Sequence, residues 1–118
     1  MVTESTTRKL GEIDIVDISG RLSLGNTLLS IETSILNLIQ QGSRRLVLNV
    51  AGLISIDSAG VGMLMGCSGQ MEQKHGKLRI AGAQGGVART FEVVHMDRVA
   101  SLDADLDTAC RNLEQSGS

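Results

Sequence analysis

The chain of 118 residues contains no proline, tryptophan or tyrosine, and its only aromatic residue is Phe91. Nucleic acid is not an expected partner, because there are no aromatic platforms for base stacking and the net charge is −2. The two cysteines lack the close spacing of a zinc site, and nothing suggests an oxidising compartment. Cys67 and Cys110 are therefore predicted to be reduced residues of the core.

Long apolar runs are also missing. No segment approaches the roughly 18 consecutive apolar residues that a membrane-spanning helix requires. Residues 1–9 lack the apolar segment of a secretory signal. These absences predict a cytoplasmic protein with no membrane insertion. The length predicts a single domain over residues 1–118, with residues 114–118 frayed.

Glycine is abundant, with 14 residues, and most of them lie between patterned segments. Glycine is therefore expected to form the turns. Two imperfectly alternating strands are predicted at residues 3–10 and 12–19, followed by a loop at residues 20–25. Three later strands are predicted at residues 44–50, 77–81 and 98–102.

Helical periodicity is present between these strands. In the first helix, Asn26 is the predicted N-cap and Gly42 the predicted C-terminal stop. In the second, Gly60, Gly62 and Gly66 are expected to allow close approach of the helix to the sheet, since each costs about 1 kcal/mol relative to alanine. The four predicted helices cover residues 26–41, 58–75, about 87–94 and 103–113. Strands that alternate with helices indicate an α/β fold.

Ser58 stands where the strand at residues 44–50 leads, through a link at residues 51–56, into the second helix. Free N–H groups and a positive dipole end mark such a position, so Ser58 is a candidate cap, nucleophile or phosphoacceptor. Catalysis is disfavoured because His75 is about 25 Å along the same helix and His95 lies in another segment. No catalytic residue is therefore predicted, and capping and phosphorylation both remain open.

The glycines after Ser58 do not have the spacing of a dinucleotide-binding loop, and no P-loop is present. The chain is therefore expected to bind no nucleotide cofactor of its own. His95 is predicted to adopt a left-handed conformation at the end of the third helix, because histidine tolerates it better than most residues. His75 is predicted to be a solvated surface residue.

The segment Ile56-Asp57-Ser58-Ala59-Gly60-Val61-Gly62 and the strand before it resemble the STAS family, the domain of bacterial anti-sigma factor antagonists. The resemblance extends to residues 16–22, 76–80 and 87–99. It implies a mixed sheet of about five strands with about four helices packed mainly on one side. It also implies a non-enzymatic function: the unphosphorylated protein binds an anti-sigma factor that is also a serine kinase, and thereby frees sigma factor.

The resemblance assigns the phosphoacceptor role to Ser58, whose phosphorylation breaks the complex and whose dephosphorylation by a phosphatase restores it. ATP and Mg²⁺ belong to the kinase, so this chain is expected to hold neither a cofactor nor a metal. The residues expected to contact the partner are Asp57, Ala59, Gly60, Arg21, Ser23 and Asn26. Three departures from the family pattern are Ser23 for a frequent aspartate, Ala59 for a second hydroxyl, and His95-Met96 for a Gly-Leu pair.

Two other functions remain open from the sequence. A STAS subunit of a transporter complex would bind the transporter ATPase constitutively, and Ser58 would then be only a helix cap. A scaffold subunit of a stress-sensing assembly would form a stable homo-oligomer. An anti-sigma factor antagonist is instead expected to be a monomer or weak dimer.

Overall fold

The computed structural model describes residues 2–115, which form a five-stranded mixed sheet and four α-helices. The strands follow one another across the sheet in chain order, with the first pair antiparallel and the remaining pairs parallel. The predicted α/β fold is therefore confirmed. The elements are β1 (Glu4–Leu10), β2 (Ile13–Leu22), α1 (Asn26–Gln40), β3 (Arg45–Ile56), α2 (Ser58–Gln73), β4 (Lys77–Ala81), α3 (Gly85–Val93), β5 (Ser101–Asp103) and α4 (Leu106–Gln115).

Helices cover the two faces of the sheet unequally. Residues of α1, α2 and α3 share the larger apolar core with one face of the strands, including Val16 and Ile18 of β2. On the opposite face, α4 packs over Ile13 and Ile15. Side chains of a strand alternate between its faces, so β2 is buried on both sides. The implied arrangement, with helices mainly on one side, is confirmed.

The two central strands extend further than the sequence pattern predicted. β2 runs through Gly20 to Leu22, where a loop was expected, and β3 continues to Ile56 in place of the expected link. These extra residues pair with each other, but register shifts interrupt the ladder after Asp17 and after Gly20. A bulge breaks the two-residue alternation, and this break conceals the strand ends in the sequence. The longer strands bring the two segments of the predicted site side by side.

The helix ends agree with the sequence only in part. Gly42 follows α1 in a left-handed conformation, with φ +111°, as predicted. The N-cap of α1 is Gly25 without a side-chain hydrogen bond, so the predicted cap at Asn26 is wrong. α2 ends at Gln73, earlier than predicted, and His75 adopts the left-handed conformation, with φ 63°. A Cβ at the next residue, Gly76, would overlap the Met71 side chain and lie 3.1 Å from the Arg44 backbone, so a larger residue there would require these atoms to shift.

In the C-terminal part of the chain, the last strand and the last helix begin later in the sequence than predicted. His95 has the predicted left-handed conformation, with φ 55°, and a 3-10 turn at Met96–Arg98 follows it. This turn displaces the last strand to Ser101–Asp103 and the last helix to Leu106–Gln115. Residues 114 and 115 belong to α4, and residues 116–118, which were also predicted to fray, lie outside the described part of the chain.

Both cysteines are free and buried, as predicted. Burial raises the pKa of the Cys67 thiol to about 12, so the reactive thiolate is absent at neutral pH. None of the helices within residues 2–115 is both long and apolar enough to cross a bilayer.

Candidate functional site

Three helices begin at the same edge of the sheet. Because β2, β3 and β4 are parallel, their C-terminal ends lie together, and each leads into a helix. The N-termini of α1, α2 and α3 carry the positive ends of the helix dipoles, and none has an acidic residue in its first turn. This helix-start edge is therefore suited to accept negative charge.

Asp57 links two segments of the helix-start edge through hydrogen bonds. Its Oδ1 accepts a hydrogen bond from the Gly60 N–H at 2.9 Å, which caps α2. Its Oδ2 accepts from the Leu24 N–H at 3.0 Å, and its own N–H donates to the Leu22 carbonyl at 3.2 Å. These backbone donors, that of Leu24 first, hold the pKa of Asp57 below its usual value. One ionised carboxylate thus joins the start of α2 to the loop before α1.

Ser58 is the first residue of α2, and it is exposed. Since the Asp57 side chain makes the cap, the helix does not need the Ser58 hydroxyl for this purpose. Within residues 2–115 the Ser58 hydroxyl has no hydrogen-bond partner. The geometry therefore offers an accessible serine hydroxyl beside a carboxylate, at the positive end of a helix.

The two residues after Ser58 turn inward. Ala59 is half-buried and Gly60 is buried. A Cβ at Gly60 would lie 2.6 Å from the Leu22 carbonyl oxygen and 2.7 Å from Ile56 Cγ1. The predicted close approach of helix to sheet is therefore correct at Gly60.

The same expectation is wrong for the later glycines of α2. Gly62 and Gly66 are exposed, and a Cβ at either position would meet no atom within 4 Å. The fold therefore places no steric requirement for glycine at these two positions. Periodicity alone cannot separate them from Gly60, because the difference depends on which side of α2 faces the end of β2.

The second predicted segment lies directly beside Asp57. Arg21, Ser23 and Asn26 are all exposed, at the end of β2, in the following loop and at the first position of α1. The pairing of Leu22 with Ile56 aligns this segment with the chain entering α2. The fold thus brings all seven predicted site residues to the helix-start edge.

The sequence reasoning did not single out Leu24. Its backbone N–H is held by Asp57, and its side chain is 77% exposed, the most of the large apolar residues described. Leu24 and Asp57 are 33 residues apart in the chain, so no local pattern could reveal the contact. The only sequence signal is an apolar residue within a polar loop.

Among residues 2–115, no histidine lies near Ser58 to act as its base. His75 follows the far end of α2 and His95 follows the far end of α3, and both are exposed. Among residues 2–115, no group of three or more His, Cys, Asp or Glu side chains is placed to hold a metal ion. What the arrangement can do is present a hydroxyl to an external reagent.

The lowered pKa of Asp57 predicts an acid-sensitive loop. The contribution of Asp57 to stability is present above the unfolded-state pKa of about 3.9 and is lost as the pH falls through the lower folded-state pKa. We expect the protection factors of the Leu24 and Gly60 amides, measured by NMR and normalised to the intrinsic exchange rate at each pH, to fall in that acidic range. Asp57→Ala should show low protection factors at every pH, whereas the cap-forming Asp57→Asn should remove the pH dependence. Unchanged protection in Asp57→Ala would contradict the role of this carboxylate.

Comparisons with known proteins place this geometry in context. The family model of the STAS domain matches residues 4–109. Among solved structures, an anti-sigma factor antagonist from Mycobacterium paratuberculosis superposes with a TM-score of 0.84 at 16% identity, covering 96% of this chain and 95% of that chain. A candidate anti-sigma factor antagonist from Thermotoga maritima gives 0.85 at 15% identity, covering 93% and 94%.

A third similar structure is the phosphorylated form of SpoIIAA, a cell fate determinant of Bacillus. Its TM-score is 0.74 at 20% identity, and 93% of this chain and 99% of that chain are covered. At these identities, the structural likeness establishes the fold. The function of this chain must be argued from its own site.

Proposed function

The chain belongs to the STAS domain family, and from this premise we propose that it is an anti-sigma factor antagonist switched by phosphorylation at Ser58. In this proposal, the unphosphorylated protein binds an anti-sigma factor that is also a serine kinase, and sigma factor is released. Phosphorylation of Ser58 ends the interaction, and a phosphatase restores it. The chain acts in the cytoplasm as a binding protein and not as an enzyme.

The observation that carries this proposal is the division of roles between Asp57 and Ser58. Asp57 makes the helix cap, and Ser58 is exposed with a hydroxyl that has no partner within residues 2–115. A serine that served only as a cap would direct its oxygen to a backbone N–H of the first turn. Ser58 is instead available to a kinase without any loss of intramolecular hydrogen bonds.

The helix-start edge also supports the charge change that the switch requires. A phosphate adds about −1.5 to −2 charges at neutral pH. The free N–H groups at the start of α2 can accommodate this charge, so folding need not be disturbed. Toward a partner, however, the phosphate and the Asp57 carboxylate together form a concentrated negative site. The effect of phosphorylation is therefore expected at the interface and not on the fold.

Partner contact is proposed for both segments of the helix-start edge, with Arg21, Ser23 and Asn26 on one side and Asp57 and Ala59 on the other. Gly60, which was also expected to contact the partner, is buried against β2. Ser23 replaces the acid that the family often carries, so recognition here depends less on negative charge. Leu24 supplies an exposed apolar side chain whose backbone is already fixed by Asp57. A pre-organised contact loses less conformational entropy on binding than a mobile one.

Incubation with ATP and the cognate anti-sigma factor kinase tests the proposal. We expect a mass gain of one phosphoryl group, mapped to Ser58 by peptide mass spectrometry and absent from Ser58→Ala. Ser101→Ala, which removes an exposed serine at the start of β5 and away from the helix-start edge, is the matched control and should be phosphorylated normally. Transfer to Ser58→Ala, or no transfer to the unmodified chain, would refute the proposed switch.

Sedimentation and binding assays distinguish the two other functions. A monomer or weak dimer is expected for the antagonist. A stable homo-oligomer would favour the scaffold subunit. Constitutive binding to a transporter ATPase, unaffected by Ser58→Ala or Ser58→Glu, would favour the transporter subunit.

A further inference from the structure

A cavity of about 650 Å³ lies at the end of the sheet opposite to Ser58. It opens where β3 and β4 begin, between the β1–β2 turn and the C-terminal ends of α1 and α2. Its volume is within the range of small-molecule sites. The parallel strands separate this cavity from the helix-start edge, so it does not belong to the site described above.

Cationic side chains dominate the cavity lining. Four Lys or Arg residues face two carboxylates, giving an excess of two positive charges in a chain whose net charge is −2. The cations are Lys9, Arg44, Arg45 and Lys77, and the carboxylates are Glu12 and Asp14. No aromatic residue lines the cavity, since Phe91, the only one in the chain, lies in the larger core. A ligand here would be held by charge and not by stacking.

Internal ion pairs use only part of this positive charge. Lys9 Nζ pairs with Asp14 at 3.2 Å. Arg45 reaches the carboxylate of Glu12 only at 3.9 Å, and that side chain is 90% exposed, so the pair is weak. Within residues 2–115, the ammonium group of Lys77 has no side-chain or backbone partner. Arg45 and Lys77 are therefore available to a ligand.

Basic residues near helix C-termini are often explained by the negative end of the helix dipole. Arg44 fits this explanation, because its Nη1 donates to the carbonyls of Ile39 at 2.9 Å and Ser43 at 2.8 Å. Arg45 and Lys77 do not, because each is the first residue of a β-strand and makes no bond to a helix carbonyl. The helix dipole therefore does not account for the charges of Arg45 and Lys77.

Two other residues of the lining, Ser43 and His75, are accounted for by the fold and do not by themselves indicate a ligand. The left-handed conformation of His75, with φ 63°, belongs to the C-terminal cap of α2, in which the Gly76 N–H donates to the Met71 carbonyl and the His75 N–H donates to the Glu72 carbonyl. The Ser43 Oγ has no hydrogen-bond partner within residues 2–115, but it is buried and not accessible from the cavity. The case for a ligand therefore rests on the cations.

We propose that this cavity is a second site, which binds a small multivalent anion such as an oligophosphate or a polycarboxylate. Arg45 and Lys77 provide the charge and the hydrogen-bond donors. Charge-assisted hydrogen bonds of this kind are stronger than neutral ones. The site does not depend on the phosphorylation of Ser58.

NMR titration of the ¹⁵N-labelled full chain with inorganic tripolyphosphate, at constant ionic strength, tests this site. We expect saturable shifts of the amides of Ser43, Arg45, His75 and Lys77, with Ser58 unaffected. Lys77→Gln should weaken binding about tenfold, because one charge-assisted contact is lost. Arg89→Gln is the matched control, because it removes an equal charge at an exposed position of α3. This variant should change the affinity less than twofold.

Ser43→Ala provides a second control. Because the Ser43 hydroxyl is unpaired within residues 2–115 and is not accessible, its removal should leave the stability of the free protein unchanged or higher and should not change the anion affinity. A parallel titration with citrate distinguishes the source of the anion: binding of both anions indicates a general polyanion site, and binding of tripolyphosphate alone a phosphate site. Shifts that do not saturate, or an equal loss of affinity in Arg89→Gln, would overturn the proposal.

Discussion

Phosphorylation of Ser58 is expected to weaken binding to the anti-sigma factor about a hundredfold. The phosphate adds its charge next to the Asp57 carboxylate, and like-charge juxtaposition at an interface costs several kcal/mol. A cost of about 3 kcal/mol corresponds to this loss of affinity. Isothermal titration calorimetry with the unphosphorylated and phosphorylated forms measures the difference directly.

Two variants distinguish the effect of an added negative charge from the effect of losing the serine hydroxyl. Ser58→Ala should bind within a few-fold of the unmodified chain, because the hydroxyl makes no bond within residues 2–115. Ser58→Glu should weaken binding, though less than the phosphate, since it adds one charge. The thermal midpoints of all forms should be similar, because the start of α2 accommodates an anion. If phosphorylation changed the affinity less than tenfold, charge repulsion could not be the basis of the switch.

Substitutions of two glycines in the first turns of α2 are expected to change stability in opposite directions. Gly60→Ala places a methyl group 2.6 Å from the Leu22 carbonyl oxygen and 2.7 Å from Ile56 Cγ1. Such overpacking costs about 1–3 kcal/mol, and the contact with the backbone of β2 cannot be relieved by a rotamer change. Gly62→Ala meets no atom within 4 Å and should raise the free energy of unfolding by about 1 kcal/mol.

Urea denaturation of the two variants tests this contrast, and an unchanged m-value confirms that the unfolding transition is comparable. Gly60→Ala should also reduce phosphorylation of Ser58, because the displaced helix start carries the Asp57 cap. Gly62→Ala should leave the phosphorylation of Ser58 unchanged. Stabilisation of both variants to the same extent would show that Gly60 is not packed against β2 as described.

The fold was largely predictable because its signals are local. Apolar periodicity located the four helices and the strands, and the left-handed conformations of Gly42 and His95 followed from their positions at helix ends. Element boundaries were less accurate where pairing depends on a distant strand. The bulged pairing of β2 with β3 extends both strands, yet it leaves no regular alternation in either segment.

The candidate site could be located from the sequence but not interpreted from it. The residues around Ser58 and the Arg21–Asn26 segment were identified, because a strand-to-helix junction and a resemblance to STAS domains both mark them. Whether Ser58 was a cap or a free hydroxyl remained open, since both aspartate and serine are good caps. The roles of the glycines in α2 were equally undetermined.

The sequence by itself therefore determined the α/β class, the order of the elements and the position of Ser58 at the start of a helix, because periodicity and capping are properties of neighbouring residues. The tertiary structure alone decided that Asp57 makes the cap and holds Leu24, that Gly60 faces β2, and that four cationic side chains surround a cavity at the opposite end of the sheet. Each of these facts depends on contacts between segments that are far apart in the chain, and such contacts form only when the parallel strands align.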